Sequence, residues 1–571
     1  MKRKNKLTTM SFITCAMAVV LFVAGNAFGG AQIIIVNVDG PGEGLNDPTP
    51  AAPVGGNTGT TKGEQRLIAF QFAADKWGET LDSPVPMYVT TAFNPLAANV
   101  LGSTSATFAF RDFPHAGLFP GPEFANTWYA SSLADKRAGG ELNPGFADMN
   151  SQFNSSFDFY LGLDGNHGAQ VDLVTVALHE FGHGLNFATF VSPTTGNNFL
   201  GNTDIYARHL LDSSTGKHWD EMTSAERQAA TTRFGRIVWD GANVTGDLPD
   251  VLSFGSPEVR VTAPASLIGA YQFGTAQFGP SLSSPGVSGS VVAAVDAADA
   301  AGPATTDGCS AFTNAAAVAG HIALVERGTC GFAVKARNAT NAGATAVIIY
   351  NNAANLNAAP PGMADDGING AFVTIPAISL TRADGVAIVA QLGTGVSVNI
   401  GVDPSIRAGA DSLGRARMYA PFPVTPGSSI SHFDTVASRN LLMEPAINSD
   451  LTHNLKAPDD LTLELLRDIG WFADTDNDGA ANADDCNPNS NLDATVVIDG
   501  RDTGVPNLLF VGGCTSNDYI ASFAVGAKNH GVFVNRVAAF ANALLELGYI
   551  TEEQKDAIMS AAGASSIGGK K

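Results

Sequence analysis

The segment that most constrains the fold spans residues 171–187, where a pattern typical of a buried helix carries the motif H-E-x-x-H. Residues four apart share one face of a helix, so His179 and His183 can direct two imidazoles at one metal ion. Glu180 lies about 100° round the axis, where it can reach a water on the metal without being a ligand. Zinc suits two neutral nitrogens and a third protein ligand, leaving a position for a water whose pKa falls to about 7. The motif predicts metal-assisted hydrolysis.

The helix alone does not complete a metal site. H-E-x-x-H also arises by chance, and a buried histidine pair can simply be hydrogen-bonded. In enzymes where the helix continues G-x-x-H, the third histidine would fall at Thr189 and the glycine at Asn186. The residues that follow also lack a glutamate at the short helical distance found in thermolysin-like enzymes.

The chain begins with features of an export signal. Basic residues at positions 2–6 precede an apolar run over 12–24 and small residues up to Ala31, which predicts a signal peptide over residues 1–31 and a secreted, extracellular protein. The apolar run is shorter than the roughly 20 residues that a membrane span needs, and no second span follows. We expect no stable membrane insertion after the signal is removed.

The bulk composition restricts the classes of partner that this chain can bind. A formal net charge of −22 argues against nucleic acid and anionic membranes, and favours solubility and cation binding. An acidic surface that only keeps a secreted protein in solution explains most of that charge. The length of 571 residues suggests three or four domains, and we expect a monomer.

Four cysteines remain once the signal is removed, an even number in an exported chain. Three connectivities are possible. Local pairing, Cys309 with Cys330 and Cys486 with Cys514, is the simplest.

Residues 32–255 read as the first part of an α+β catalytic domain, a twisted sheet flanked by two helices. Helical spacing of apolar residues predicts an amphipathic helix over 64–81, and runs rich in β-forming residues predict strands over 33–36, 85–91, 105–110 and 147–160. Short helices are expected at 207–211 and at 224–232, the second capped by Thr223. The remaining histidines of this region are interpreted as turn, capping or ordinary core and surface residues: His115, His167, His209 and His218.

The residue pattern of the chain changes near residue 256. A strand, the sequence R-G-T-C-G-F ending at Phe332, a helix with Lys335 and Ala336, and then G-A-T-A-V-I-I-Y-N ending at Asn351 follow in order. This pattern resembles the protease-associated (PA) domain, over residues 256–403. The resemblance implies a β-rich insert in a peptidase, without catalytic residues of its own, that guides substrates or covers the cleft. A stable spacer is the alternative.

Beyond the insert, three further motifs stand in order: S-H-F-D with His432, L-L-M-E-P with Met443, and a helical pattern ending D-I-G-W at Trp471. Together with the helix they resemble leishmanolysin, a metzincin zinc peptidase. The resemblance implies that His432 is the third zinc ligand, that Met443 forms the Met turn below the zinc, and that residues 404–472 complete the catalytic domain. Asp434 could orient a ligand or cap the surface. Asn186 replaces the family's usual glycine, which asparagine tolerates because it enters the left-handed region readily.

The segment 473–514 reads as a calcium-binding linker. Side-chain oxygens at alternating positions, with glycine at the sixth and a backbone carbonyl at the seventh, can enclose Ca²⁺; the residues are Asp474, Asp476, Asp478, Ala480, Asn482 and Asp485. Aspartate at the twelfth position makes the loop resemble dockerin and thrombospondin type 3 repeats more than EF-hands. An acidic disordered linker is the alternative. Residues 515–571 then predict a small helical tail domain.

These elements together predict a secreted zinc-dependent endopeptidase, also binding calcium, that hydrolyses protein or peptide substrates by zinc-activated water with Glu180 as general base. The competing hypothesis is a secreted calcium-dependent binding or adhesion protein on an inactive peptidase scaffold. A glycoside hydrolase is remote, because no pair of carboxylates with the required pattern is recognisable in the sequence.

Overall fold

The computed structural model describes residues 30–116, 119–472, 486–487, 489–510 and 513–569. They form three bodies in chain order: the domain for which the sequence predicts a catalytic role, called the catalytic-type domain below, an insert within it, and a tail. No helix of this described part is both long and apolar enough to cross a membrane.

The first body is built on a four-stranded sheet with two long helices packed against it. Its elements are β1 (Ile33–Asn37), α1 (Lys62–Thr80), β2 (Met87–Asn94), β3 (Gly102–Ala106), β4 (Ala109–Phe110), β5 (Tyr129–Ala130), α2 (Ser131–Ala138), β6 (Met149–Asn154) and α3 (Leu173–Gly184). The strand order is β1-β2-β6-β3, with only β3 antiparallel to its neighbour. The predicted sheet flanked by two helices is therefore present, with β3 at an edge.

Helix α1 begins and ends close to the predicted limits because its cap is written in the sequence. Thr61 accepts a hydrogen bond from the Glu64 amide, and the Glu64 side chain returns to the Thr61 amide, which is a capping box. The strand predictions are less accurate, because β3 is Gly102–Ala106 rather than 105–110 and β6 is Met149–Asn154 rather than 147–160. Pairing with neighbouring strands sets these limits. The periodicity of a single segment carries no information about that pairing.

A smaller sheet follows on the same core. Its elements are α4 (Ile205–Arg208), β7 (Leu210–Asp212), β8 (Lys217–His218), α5 (Ser224–Ala230), β9 (Ile237–Trp239) and α6 (Ala242–Val251). The helix expected over 207–211 is wrong in its second half, because Leu210–Asp212 pairs with β8 and β9. The helix capped by Thr223 is confirmed.

The insert interrupts this body after α6. It comprises β10 (Phe254–Ala263), β11 (Gly269–Ala270), β12 (Gly274–Thr275), β13 (Val287–Ala293), α7 (Ala315–Val318), β14 (Ile322–Glu326), α8 (Phe332–Asn341), β15 (Ala346–Tyr350), β16 (Ala377–Leu380), α9 (Arg382–Gln391) and β17 (Ser397–Arg407). These strands form one eight-stranded sheet with an apolar cluster on each face. Its first and last long strands, β10 and β17, pair antiparallel from Phe254 opposite Arg407.

The chain then returns to the first body. β18 (Ala416–Arg417) pairs with β9, and α10 (Thr462–Asp468) packs beside α6. A single apolar core joins residues from both sides of the insert, among them Trp77, Phe181, Met443 and Trp471. The two parts predicted over 32–255 and 404–472 therefore share one core.

The tail consists of β19 (Thr495–Ile498), β20 (Arg501–Pro506), α11 (Ser516–Ala524), α12 (His530–Glu546) and α13 (Glu552–Ala564). Val496, Ile498 and Val505 of the hairpin lie in the same apolar cluster as the helices. The hairpin falls within the segment 473–514 predicted as linker, so the folded tail begins before residue 515. Hairpin strands of four to six residues give a weak sequence signal beside long helices.

Candidate metal centre

Helix α3 presents the H-E-x-x-H motif from inside the core. The Asp172 carboxylate caps its first turn by accepting from the Val174 and Thr175 amides. The helix ends at Gly184, and Asn186 takes the left-handed conformation, with φ of 78°. The turn brings the Phe187 carbonyl back to His183 Nδ1 at 2.8 Å. Asparagine thus performs the role that its tolerance of positive φ predicts, and its side-chain Oδ1 also accepts from the Ala130 amide.

Three histidines converge although one is far away in sequence. The Nε2 atom of His183 lies 3.2 Å from that of His179 and 3.2 Å from that of His432, and the remaining pair is 3.3 Å apart. His179 and His432 are buried and His183 is half-buried. The structure brings together the three histidines that the sequence singled out.

The opposite ring nitrogens fix the tautomers. His179 Nδ1 contacts the Leu442 carbonyl at 2.7 Å, and His432 Nδ1 contacts the Ser428 carbonyl at 2.8 Å. His183 bonds to Phe187 in the same way, so each Nδ1 donates to a carbonyl and each Nε2 keeps its lone pair for the centre. Burial lowers the pKa of His179 to about 3 and that of His183 to about 4, and it holds the pKa of His432 well below its ordinary value.

The donor set fits zinc. Zn–N distances of about 2.0–2.1 Å in a tetrahedron place ligand nitrogens roughly 3.3–3.4 Å apart. The observed separations of 3.2 to 3.3 Å agree with this spacing. Neutral, buried imidazoles with hydrogen-bonded outer nitrogens are the state that zinc requires.

Glu180 lies on the same helix as His179 and His183, but its side chain makes different contacts from theirs. It is 6% exposed, and its Oε2 has no hydrogen-bond partner among the described residues. Burial raises its pKa to about 8, against which hydrogen bonds from Thr104 of β3 act. A β-carbon added to Gly102 would lie 2.8 Å from Glu180 Cγ, so the carboxylate needs glycine at that point of β3. Glu180 therefore faces the groove beside the histidines.

Met443 is buried in a turn beside α3. The Glu444 amide donates to the Leu441 carbonyl, and Phe433 donates to the Met443 carbonyl. A β-carbon added to Gly182 of α3 would lie 2.8 Å from Met443 Sδ. The turn that bears Met443 therefore packs directly against α3.

Sequence reasoning missed the carboxylate that holds this turn. Asp460 Oδ2 accepts from the Leu442 amide at 2.6 Å, and the Leu442 carbonyl accepts from His179. Asp460 is 2% exposed, and burial raises its pKa to about 6. An aspartate before a short helix reads as a cap, so no signal in the sequence linked it to the histidines.

The other predicted residues lie elsewhere. Asp434 is buried and pairs with Arg417 at 2.6 Å, so it anchors the His432 segment to β18 and bonds to none of the three histidines. His167 contacts the Gln170 carbonyl in its turn, and His218 pairs with Asp240. His209 stacks on Trp239. The predicted calcium ligands, Asp474 to Asp485, lie outside the described residues.

A groove of about 820 Å³ runs over the centre. It is lined by residues 99–104, which include the start of edge strand β3, and by residues 426–429 and 444–447. His179, Glu180, His183 and His432 also line it. The site is therefore a cleft along a sheet edge.

Both predicted disulfides are confirmed. Cys309 bonds Cys330 within the insert, and Cys486 bonds Cys514 in front of the tail helices.

Comparison with known proteins identifies the insert. Residues 287–388 match the profile of the PA domain family, which confirms the predicted PA domain. The chain is 43% identical over 83 residues to the human ER degradation-enhancing alpha-mannosidase-like protein 3, covering 14% of this chain and 9% of that protein. It is 52% identical over 60 residues to an aminopeptidase of Pseudomonas aeruginosa, covering 10% of this chain and 11% of that one.

A probable leucine aminopeptidase 2 of Aspergillus fumigatus is 37% identical over 100 residues, 17% of this chain and 19% of that protein. Among solved structures, BSAP, a zinc aminopeptidase from Bacillus subtilis, is 22% identical, covers 28% of this chain and 36% of its own, and has a TM-score of 0.19. The chain spans less than a fifth of the length of these curated relatives. The relatives include both aminopeptidases and a mannosidase-like protein, so the shared segment does not by itself fix an activity.

Proposed function

We propose that this protein is a secreted zinc-dependent endopeptidase of the metzincin type, similar to leishmanolysin, carrying a PA domain as an insert. The observation that carries the proposal is the triangle of Nε2 atoms from His179, His183 and His432, with Glu180 beside it. The aminopeptidase relatives support a peptidase, and the two disulfides support an oxidising, extracellular location.

The residues divide the work between holding the metal and moving a proton. His179, His183 and His432 would hold zinc, which when bound lowers the pKa of its water to about 7 and polarises the scissile carbonyl. Glu180 takes one proton from the attacking water at its carboxylate and delivers it to the leaving amine nitrogen as the C–N bond breaks. The groove walls keep the peptide over these groups.

The groove favours cleavage within a chain. β3 pairs with β6 along one edge only, and an extended peptide can add to the other edge through backbone hydrogen bonds. An aminopeptidase needs a carboxylate free to bind the substrate's terminal ammonium. The carboxylates among the described residues lining the groove are Glu180 and Glu444, and Glu444 accepts from the Leu441 amide and from Asn448.

The test pairs two substrates with two variants. An internally quenched peptide with a blocked N-terminus should be cleaved, whereas an unblocked amino-acid anilide should not. Glu180→Gln should lower kcat/KM by roughly 10²–10⁴-fold while metal analysis still finds one zinc. Glu444→Gln serves as the matched control and should retain most activity. Cleavage of the anilide alone would favour the aminopeptidase alternative, and full activity of Glu180→Gln would refute the base assignment.

We also propose that the loop over residues 474–485 binds calcium. Its support is the alternation of oxygen donors in the sequence, and calcium titration of an Asp476→Ala/Asp478→Ala variant tests it.

A further inference from the structure

A second group of titratable side chains lies outside the histidine centre and its groove. The carboxylates of Asp135, Glu141 and Asp148 converge so that one oxygen of each lies within 4.8 Å of the others. Asp135 and Asp148 are each 2% exposed, and Glu141 is half-buried. Three negative charges so close together in the protein interior repel one another unless something positive lies between them.

One buried oxygen in this group faces other carboxyl groups instead of an N–H donor. Asp135 Oδ1 accepts from the Leu142 amide and Asp148 Oδ2 accepts from the Tyr88 amide, each at 2.8 Å. Asp135 Oδ2 is buried without a hydrogen-bond partner among the described residues, although its carboxyl group lies within hydrogen-bonding reach of Asp148. A carboxylate oxygen buried against another carboxylate is costly without a bridging ion or proton.

The neighbouring cations are directed elsewhere. Arg137 donates from Nε to the Gly121 carbonyl and from Nη1 to the Gly470 carbonyl. The charge of Asp82 favours the protonated form of Lys136. In the described chain, no salt bridge joins Asp135, Glu141 or Asp148 to a lysine, arginine or histidine.

We propose that Asp135, Glu141 and Asp148 form a calcium site. Their donor atoms are all oxygens, which suit a hard cation rather than zinc. Ca²⁺ takes oxygens at about 2.3–2.6 Å in a flexible shell, whereas Mg²⁺ demands a near-octahedral shell at about 2.0–2.1 Å. The three donor oxygens lie within 4.8 Å of one another, which is inside the roughly 5 Å that two Ca–O bonds can span.

The site ties a loop to the sheet that carries the groove. It joins the last turns of α2 to Asp148, the residue before β6, across the segment 139–147. The Asp148 carbonyl accepts from the Thr107 amide and from Ser131 Oγ. Since β6 pairs directly with β3, calcium here fixes the start of the strand behind the substrate edge.

A shared proton is the competing occupant. Burial raises the pKa of all three carboxyl groups, and the charge of Asp148 adds to this effect for Asp135 and Glu141. The experiment must therefore separate a calcium response from a pH response.

The test uses the full zinc-loaded chain with Asp476→Ala and Asp478→Ala, so that the predicted linker loop does not compete. The melting temperature should rise by roughly 3–5 °C at a calcium concentration about a hundred times the dissociation constant, and magnesium at the same concentration should have much less effect. Calorimetric titration with CaCl₂ should give one remaining site.

Asp135→Asn is the sharpest variant. Its Oδ1 can still accept from Leu142 while its Nδ2 donates to Asp148, so it should fold and lose the calcium response. If it does not fold, Glu141→Gln, at the half-buried ligand, should weaken calcium binding at least tenfold. Glu79→Gln also removes one negative charge, but at an exposed position, and should leave the calcium response intact.

Two results would overturn the proposal. The first is a parent protein that binds no calcium and whose melting temperature follows pH alone, which would mean a shared proton. The second is a calcium response in Asp135→Asn equal to that of the parent.

Discussion

The metal centre and the PA insert differ in how far along the chain their parts lie. The insert's recognisable pattern is contiguous: β14, Cys330, α8 and β15 follow one another within residues 322–350. The centre joins His183 to His432 across 249 residues. Local pairing makes the insert readable as a unit, whereas the centre exists only when two distant parts of the chain share a core.

The insert itself closes that distance. β10 and β17 pair from Phe254 opposite Arg407, and the Ala408 amide donates to the Ser253 carbonyl at 2.9 Å. The chain therefore leaves and re-enters the catalytic-type domain at neighbouring points. From there β18 pairs with β9, and the Tyr419 amide donates to the His432 carbonyl, which sets His432 beside α3.

The largest expected effect comes from breaking the long-range half of the centre. His432→Ala removes one of three nitrogen donors, so zinc should be lost and peptide cleavage should fall by roughly a thousandfold or more. Metal analysis after gel filtration and cleavage of the blocked peptide measure both. His167→Ala is the control, because His167 lies in a turn and should keep zinc and activity. Zinc at full occupancy in His432→Ala would refute the ligand assignment.

Breaking the local unit should leave the centre alone. Cys309→Ser/Cys330→Ser opens a loop with a sequence separation of 21 residues, which should destabilise the insert by about 3 kcal/mol. All five tryptophans lie outside the insert, so tryptophan fluorescence reports on the catalytic-type domain while circular dichroism includes the insert. The circular dichroism transition should move to lower urea with zinc content unchanged. Loss of zinc would show that the two regions are not independent.

The free energy of unfolding should depend on pH through Asp460, whose carboxylate holds the turn that bears Met443. Its pKa is about 6 in the folded chain and about 3.9 when unfolded, so folding favours the protonated form. Its contribution to stability is full below about pH 4 and is lost as pH rises through 6, a change of about 3 kcal/mol. The difference in unfolding free energy between the parent and Asp460→Asn, measured in urea, should follow this curve.

Thr462→Val is the companion variant for Asp460. The Thr462 hydroxyl hydrogen bond lowers the pKa of Asp460, so its removal should raise that pKa further and enlarge the total change in stability with pH. A parent and Asp460→Asn that differ by a constant amount from pH 4 to pH 7 would contradict the prediction.

The smallest expected effect is that of removing the whole insert on zinc affinity. Replacing residues 256–403 by a short glycine-serine turn should change zinc affinity by no more than about a factor of two, because the ends of the insert already meet. Competition with a chelating dye measures this. The Phe422 amide donates to Gln272 of the insert at 2.7 Å. A large loss of affinity would mean that this contact, rather than the domain core, holds the segment leading to His432.

Several features could be predicted from the sequence because their determinants are local. The cap at Thr223, the helix with His179 and His183, and the PA pattern each depend on residues within one or two turns or one supersecondary unit. His432 and Met443 were found through family resemblance, since neither residue type carries a signal of its own. The limits of β3 and β6 and the strand at Leu210–Asp212 were missed because strand pairing decides them.

The sequence by itself determined the chemistry available to this protein: two imidazoles and a carboxylate on one helix, and cysteines that pair locally. Tertiary structure brought His432 into the triangle, and it alone decided that Asp460 acts on His179 through Leu442 and that three acids meet between α2 and β6. Helix and cap signals arise from residues a few positions apart. A metal shell arises from side chains that only a shared core brings within a few ångströms, and it leaves no spacing in the chain to read.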